Sequence, residues 1–568
     1  MRLPLALCAL LASVTAAQAA KPAAKLSALV AAYYDGLWKA SPVTATQAGL
    51  HAWDSQLDDV SAAAHAREAA RLKSIVIALQ ALNGVALSLH DRDDRDVVAA
   101  HIDGSLLEEI TVQQWRHNPA TYVDLLTTAI YSLIERDFAP LSARMASVIA
   151  REALVPAMLA EAKKNLTNMP PVFIDIALEN LDGAVGFLTN DVPVAFTAVK
   201  ESSLRARLAQ STKAALAACA DYRAFLIAQK PAAHGSFVLG RTAMQRLLAS
   251  DMVTVPVERV LAAGRAQLAK DHATFLATEK LIDPKDPAGA LKMIEADHPD
   301  AAHLIPTARA ALPSLRAFIE AHHIVDLPSP MMPTVGETPP FARALIFGEL
   351  DPPGPLEAHA TQAYFFITPP DPKSSAAAQS TFLEYWNKPV LQNLAVHEAL
   401  PGHFTQYLYL HANPTWSIVR KMAQSYTATE GWAHYSEQMM LDEGLGAGDP
   451  KLRLAQLQDA LLRDCRLIAA IGMHTQGMSL AQATDMMQTQ CFQPPDVAPK
   501  EARRGTSDPG YYSYTLGKLE ILKLRADVQA AEGKSFTLAH FHDRFLSAGL
   551  VPIAVIRREI LGKDAPAL

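Results

Sequence analysis

Cysteine is scarce in this chain, with four in 568 residues. Cys8 lies in the N-terminal leader described below, which leaves Cys219, Cys465 and Cys491. Three thiols allow at most one internal disulfide, and no CxxC or Cys/His spacing marks a structural zinc site. Long apolar runs are missing too. Beyond the leader there is no stretch of about 20 uncharged apolar residues, so no membrane-spanning helix is expected. Nor does one sign of charge dominate: the formal net charge of -7 is mild for this length and leaves no footprint for nucleic acid or an anionic membrane. No fixed-length repeat recurs, so a solenoid is not expected.

What is abundant is apolar material. Half of the residues are hydrophobic and alanine is frequent, a composition suited to a large helical core. At the N-terminus, Arg2 precedes an apolar run over 3–14, followed by Ala17-Gln18-Ala19, a small-x-small cleavage pattern. This predicts a signal peptide over 1–19, a mature chain starting near Ala20, and export to a bacterial periplasm or the medium. Cys8 follows Ala6 and Leu7 inside the unfinished apolar run, so it reads as part of the signal rather than as a lipid attachment site. No membrane anchor is expected once the signal is removed.

The expected fold class is mostly α. Apolar positions three and four apart predict helices over 62–82, 140–165, 195–228 and 257–281. His90-Asp91-Arg92-Asp93-Asp94, Asn168-Met169-Pro170-Pro171 and Lys230-Pro231 read as joints between them. The acidic joint at His90 reads as a solvated loop, with cation binding as the alternative. Between 327 and 372 prolines accumulate, while Ala344-Leu345-Ile346-Phe347 and Ala363-Tyr364-Phe365-Phe366-Ile367 have strand composition. A small sheet is expected there. One reading gives Tyr364 and its strand an exposed edge for an extended substrate; the other makes it a core hairpin. The division expected is a helical region over 20–326 and a catalytic helical region with a small β element over 327–568, the two able to form one continuous fold.

The chemistry concentrates in His397-Glu398-Ala399-Leu400-Pro401-Gly402-His403. In an H-E-x-x-H helix the histidines stand four apart, share a face and hold one ion while the Glu activates water. Here they stand six apart, which on an ideal helix separates them by about 120°. Pro401 lacks an N-H and Gly402 tolerates unusual backbone angles, so the pair is expected to bulge the helix and return His403 to His397. The alternative is that the helix simply ends there. Glu430, His434 and Glu437 follow at i, i+4 and i+7 on one helical face. A catalytic zinc takes three protein ligands, and Glu430 is the expected third, with His434 and Glu437 orienting an imidazole.

These residues, with Glu430-Gly431-Trp432-Ala433 and the later Tyr514-Thr515-Leu516-Gly517, resemble the bacterial proteins grouped as domain of unknown function 885. The resemblance runs over most of the mature chain. It implies a large, helix-rich, peptidase-like zinc hydrolase of the gluzincin type and does not name a substrate; one Zn2+ per chain and a peptide substrate are the expectation. It also implies that Tyr514 stabilises an oxyanion, with Tyr511 and Tyr512 behind it and His474 as a further transition-state donor or a core histidine. Arg504 and Arg503 read first as surface charge, with a substrate carboxylate as the alternative partner. The expected mechanism has Glu398 as general base and His397, His403 and Glu430 as ligands. Two rivals stand beside it: a metal-dependent hydrolase of a non-peptide amide or ester, and a non-catalytic helical binding protein.

Overall fold

The computed structural model describes residues 5–340, 343, 347–564 and 568, with side chains from Pro22 on. Helices dominate, as the periodicity predicts: Ala62–Gln80, Leu141–Asn165, Ser202–Gln229 and Val257–Ile282 stand within a few residues of the expected spans, save at one end. The third starts at Ser202 rather than 195, because the chain first makes a separate short helix, Val192–Ala195, and a turn. The Asn168 joint falls between helices, and the Lys230 joint makes a single 3-10 turn, Lys230–Ala232, between two α-helices. The His90 joint does not. It lies inside the helix Leu89–Leu107, started by Ser88, whose hydroxyl oxygen accepts from Asp91 N at 3.1 Å. Two of its acids meet arginines: Asp93 pairs with Arg558 at 2.5 Å and Asp94 with Arg420 at 3.5 Å, while Asp91 accepts from the Ser88 hydroxyl. None of the helices among the described residues is long and apolar enough to cross a membrane.

Among the described residues three apolar clusters form the interior. One packs residues 120–226. A second joins residues 244–294 to residues 454–516. The largest ties the N-terminal helices and the helix Leu304–Ala321 to the sheet, the histidine-bearing segment and the C-terminal helices. The last two therefore draw side chains from both sides of position 327. Cys465 and Cys491 form a disulfide and Cys219 is a buried free thiol.

Among the described residues the sheet has three strands, β1 Thr334–Glu337, β2 Gly348–Asp351 and β3 Tyr364–Ile367, in the order β1-β3-β2. Val335, Phe365 and Ile367 turn inward by the two-residue alternation of strands. Of the expected strand at Ala344, residues 344–346 lie outside the described residues, and β2 begins just beyond Phe347. The expectation for Tyr364 needs correcting. Its strand is the central one, hydrogen-bonded to β1 in parallel and to β2 in antiparallel fashion, so it offers no free edge to a substrate. Tyr364 instead stacks on Phe366 with centroids 5.3 Å apart, under the Arg136 guanidinium. The sheet meets the histidine segment through β2, where Leu350 N donates to Glu398 Oε2 at 2.8 Å.

Candidate metal centre

The helix Lys388–Glu398 carries His397 in its last turn, and a second helix, His403–Ala412, starts at the other histidine. The interruption is therefore a full break rather than the expected bulge. Ala399 and Leu400 N both donate to Ala395 O, and Gly402 N donates to Val396 O at 3.0 Å, so the chain folds back over the helix end it has left. A Cβ on residue 402 would run into the His397 carbonyl, which is why only glycine fits. The outcome is the one the bulge was meant to achieve. The two imidazole rings stand 4.8 Å apart between centroids, nearly perpendicular.

Glu430 reaches them from the helix Tyr426–Asp442. Its Oε2 lies 3.4 Å from His403 Nε2 and 3.7 Å from His397 Nε2, and the three ligand atoms all lie within 4.8 Å of one another. Zinc ligands at their usual bond lengths in a tetrahedron are about 3.3–3.6 Å apart, so the set fits an ion with little movement. That Oε2 atom is buried and has no hydrogen-bond partner, which is costly for a carboxylate unless a cation completes it. Against the effect of burial, the imidazoles of His403 and His397 hold Glu430 well below the usual carboxylate range.

The other ring nitrogens are fixed so that both Nε2 atoms stay free for a ligand. His397 Nδ1 donates to Glu437 Oε1 at 2.6 Å, and His403 Nδ1 to Gln406 Oε1 at 3.2 Å. Gln406 is itself oriented by donating to Ala428 O at 3.3 Å. Glu437 is fully buried and needs a counter-charge, which Arg463 supplies from the helix Pro450–Thr475 at 3.1 Å. Despite burial, Arg463, His434 and the bond to His397 keep Glu437 well below the carboxylate range. His434 donates to its Oε2 at 3.4 Å and so belongs to this supporting layer.

Tyr514 comes from the helix Ser513–Glu532, whose backbone crosses the Glu430 helix at two glycines. A Cβ on Gly431 would stand 2.5 Å from Gly517 Cα, so the paired glycines allow the close approach that sets Glu430 and Tyr514 on one site. The Tyr514 ring lies 6.4 Å from that of His397 and 5.6 and 5.4 Å from the Arg463 and Arg466 guanidinium carbons. Burial, and then the Glu430 charge, push its phenol up to about 12, so it remains a donor at neutral pH.

The family model described as "Bacterial protein of unknown function (DUF885)" matches residues 42–560. The chain belongs to that family. Two solved structures share the fold of this DUF885 protein. One, a "putative lipoprotein of unknown function" from Shewanella oneidensis, is 26% identical, with a TM-score of 0.78 over 94% of this chain and 99% of that one. The other, a "putative lipoprotein" from Colwellia psychrerythraea, is 18% identical, with a TM-score of 0.78 over 95% and 99%. No curated protein matches the chain.

In this DUF885 protein one candidate ligand, Glu430, lines a cavity of about 800 Å³ together with Tyr514, Tyr511, Tyr512 and Arg504, while His397, Glu398 and His403 lie outside its lining. Its far wall comes from the N-terminal helices, through Tyr33, His101 and Glu108 among others. His474 is not part of it. Its Nε2 donates to Gly505 O at 2.9 Å and its Nδ1 accepts from Leu239 N at 3.4 Å, so both nitrogens are used in tying backbone together. The expected transition-state donor is a core histidine. Sequence reasoning missed Arg463 and Gln406 as supports, and Asp251, whose Oδ2 accepts from both Thr427 N and Oγ1 at the start of the Glu430 helix. For Arg463 a signal existed: Arg463, Asp464 and Arg466 stand together between the apolar pairs Leu461-Leu462 and Leu467-Ile468 of one helical run.

Proposed function

We infer that this protein is an exported zinc-dependent hydrolase that cuts amide bonds in short peptides. One observation carries the inference: the buried Glu430 Oε2, without a hydrogen-bond partner among the described residues, faces two imidazole Nε2 atoms whose rings are oriented from behind. His397, His403 and Glu430 would hold Zn2+, which when bound lowers the pKa of a water toward about 7 and polarises a carbonyl. Three protein ligands leave the fourth position open to chemistry.

The chain's own residues supply the proton handling. Glu398 follows His397 at the helix end, and Leu350 N fixes its Oε2, which leaves Oε1 to accept the proton of the attacking water and return it to the departing amine. The Tyr514 hydroxyl donates to the carbonyl oxygen as charge develops there. Arg463 acts at a distance, keeping Glu437 ionised so that His397 presents Nε2. A cavity of about 800 Å³ suits a ligand of drug or short-peptide size and is too confined for a folded protein. Export is supported by the leader pattern over 1–19 and by the lipoprotein descriptions of the two structural relatives.

Glu398→Gln tests the reading. Incubated with a mixed oligopeptide library, the wild-type protein is expected to cleave, and the variant to retain metal and lose turnover. Equal cleavage by the two proteins refutes the assignment, and cleavage of esters or non-peptide amides alone reassigns the substrate.

A further inference from the structure

Arg463, Arg466 and Arg504 each stand against a tyrosine of the site, Arg503 is the chain neighbour of the last, and all but Arg504 are committed elsewhere. Arg463 is held by Glu437, and Arg466 meets both oxygens of Glu501 at 2.8 and 2.9 Å. Arg503 turns away to Glu179. Arg504 differs. Among the described arginines it alone lines the cavity that holds Glu430 and Tyr514, with 43% of its side chain exposed. Its Nε and Nη2 both donate to a single oxygen, Asp508 Oδ2, at 3.1 Å. That bond uses the side-on fork of the guanidinium and leaves the end-on fork, Nη1 with the second hydrogen of Nη2, without an acceptor among the described residues. The Tyr511 ring, 5.8 Å from the guanidinium carbon, backs the plane of the group.

The remaining charges of the cavity wall are occupied. Asp251 holds Thr427, Glu108 accepts from Gln114 N at 2.7 Å, Asp508 holds Arg504, and Glu430 belongs to the metal set. An arginine with a free planar fork on such a wall matches a carboxylate, which takes two parallel hydrogen bonds.

We propose that Arg504 anchors a carboxylate of the peptide substrate, in the first place that of its C-terminus, so that the enzyme works inward from a chain end. This rests on the cavity being the substrate chamber of the metal site. Hydrolysis at a bond placed by that anchor adds one water across the amide and releases a short piece bearing the original carboxylate and a new amine, with a new carboxylate on the remainder.

Binding separates this inference from turnover. Glu398→Gln protein is titrated by calorimetry with acetylated tetra-alanine as the free acid, with its C-terminal amide, and with an amide whose last residue is glutamate. The free acid is expected to bind at least about tenfold more tightly than the plain amide, and adding Arg504→Gln is expected to abolish the difference. Arg504→Lys, which keeps the charge and loses the fork, is expected to recover only part of it. Unchanged melting temperatures establish that these variants fold. If the glutamyl amide matches the free acid, the anchor stands and the carboxylate is a side chain's. Equal binding of acid and plain amide, no binding of any peptide, or no effect of Arg504→Gln overturns the proposal. Metal content and cleavage, measured separately, report on the hydrolase reading itself.

Discussion

Trp432 donates its indole N–H to the Pro401 carbonyl at 2.8 Å, with both groups buried. The bond joins the break between the two histidines to the helix that carries Glu430, adding to the His397–Glu437 and Gln406–Ala428 bonds that connect the same two segments. Trp432→Phe keeps most of the packing against Phe545 and leaves that carbonyl without a partner. A stability loss of about 1–3 kcal/mol in urea unfolding is expected, together with weaker metal binding. A variant with wild-type metal affinity would show that the break holds its shape unaided.

Glu437 is expected to tune the metal through His397. Glu437→Gln removes the acceptor charge behind the ring and leaves Arg463 without its counter-ion. Metal affinity, measured by competition with a chromophoric chelator, should fall by about 10–100-fold. Addition of Arg463→Leu to that variant should recover some of the lost stability, because the unpaired guanidinium goes with it.

Tyr514→Phe is expected to lower kcat by about 10²–10³ while leaving metal content and KM nearly unchanged, the pattern of a donor used only as charge develops. Since its phenol is pushed up to about 12, activity should show no alkaline loss attributable to this tyrosine below pH 10.

A pH effect is expected far from the site. Glu152 is buried in the cluster over 120–226, and burial raises it to about 7 although Ser211 and Thr212 donate to it. A carboxyl group raised in the folded state binds its proton more tightly there than when unfolded. Its contribution to stability is therefore full below about 4.5 and is lost as pH rises through about 7, at up to about 1.4 kcal/mol per pH unit. The melting temperature of Glu152→Gln, relative to wild type, should rise between pH 5 and pH 8. A constant difference would show that Glu152 does not titrate in this window.

The parts of the site readable in advance were those written within a few residues of each other. His397, Glu398 and His403 share one short run, and Glu430, His434 and Glu437 one helical face, so local spacing sufficed. The backbone between the histidines was not readable, because its path depends on hydrogen bonds back to Ala395 and Val396 and on Trp432, which lies in another helix. His474 illustrates the opposite error. A histidine at a helix end looks chemically available in one dimension, and its two backbone partners, Leu239 and Gly505, are remote in sequence. Tyr364 failed similarly: strand composition marks a strand, and its position in the sheet is decided by β1 and β2. The helices expected from periodicity formed near their spans save at one end, whereas the acidic His90 stretch, read as a loop, lies inside a helix. The cavity did not announce itself, since its wall is assembled from segments as distant as Tyr33 and Tyr514.

The central claim is that His397, His403 and Glu430 form one zinc site despite the break between the histidines. Elemental analysis of purified mature protein, loaded with zinc and freed of excess, tests it directly beside His403→Ala and Glu430→Ala. About one zinc per wild-type chain, with loss in both variants, is the predicted result. No zinc in the folded wild-type protein, or equal zinc in all three, would contradict it.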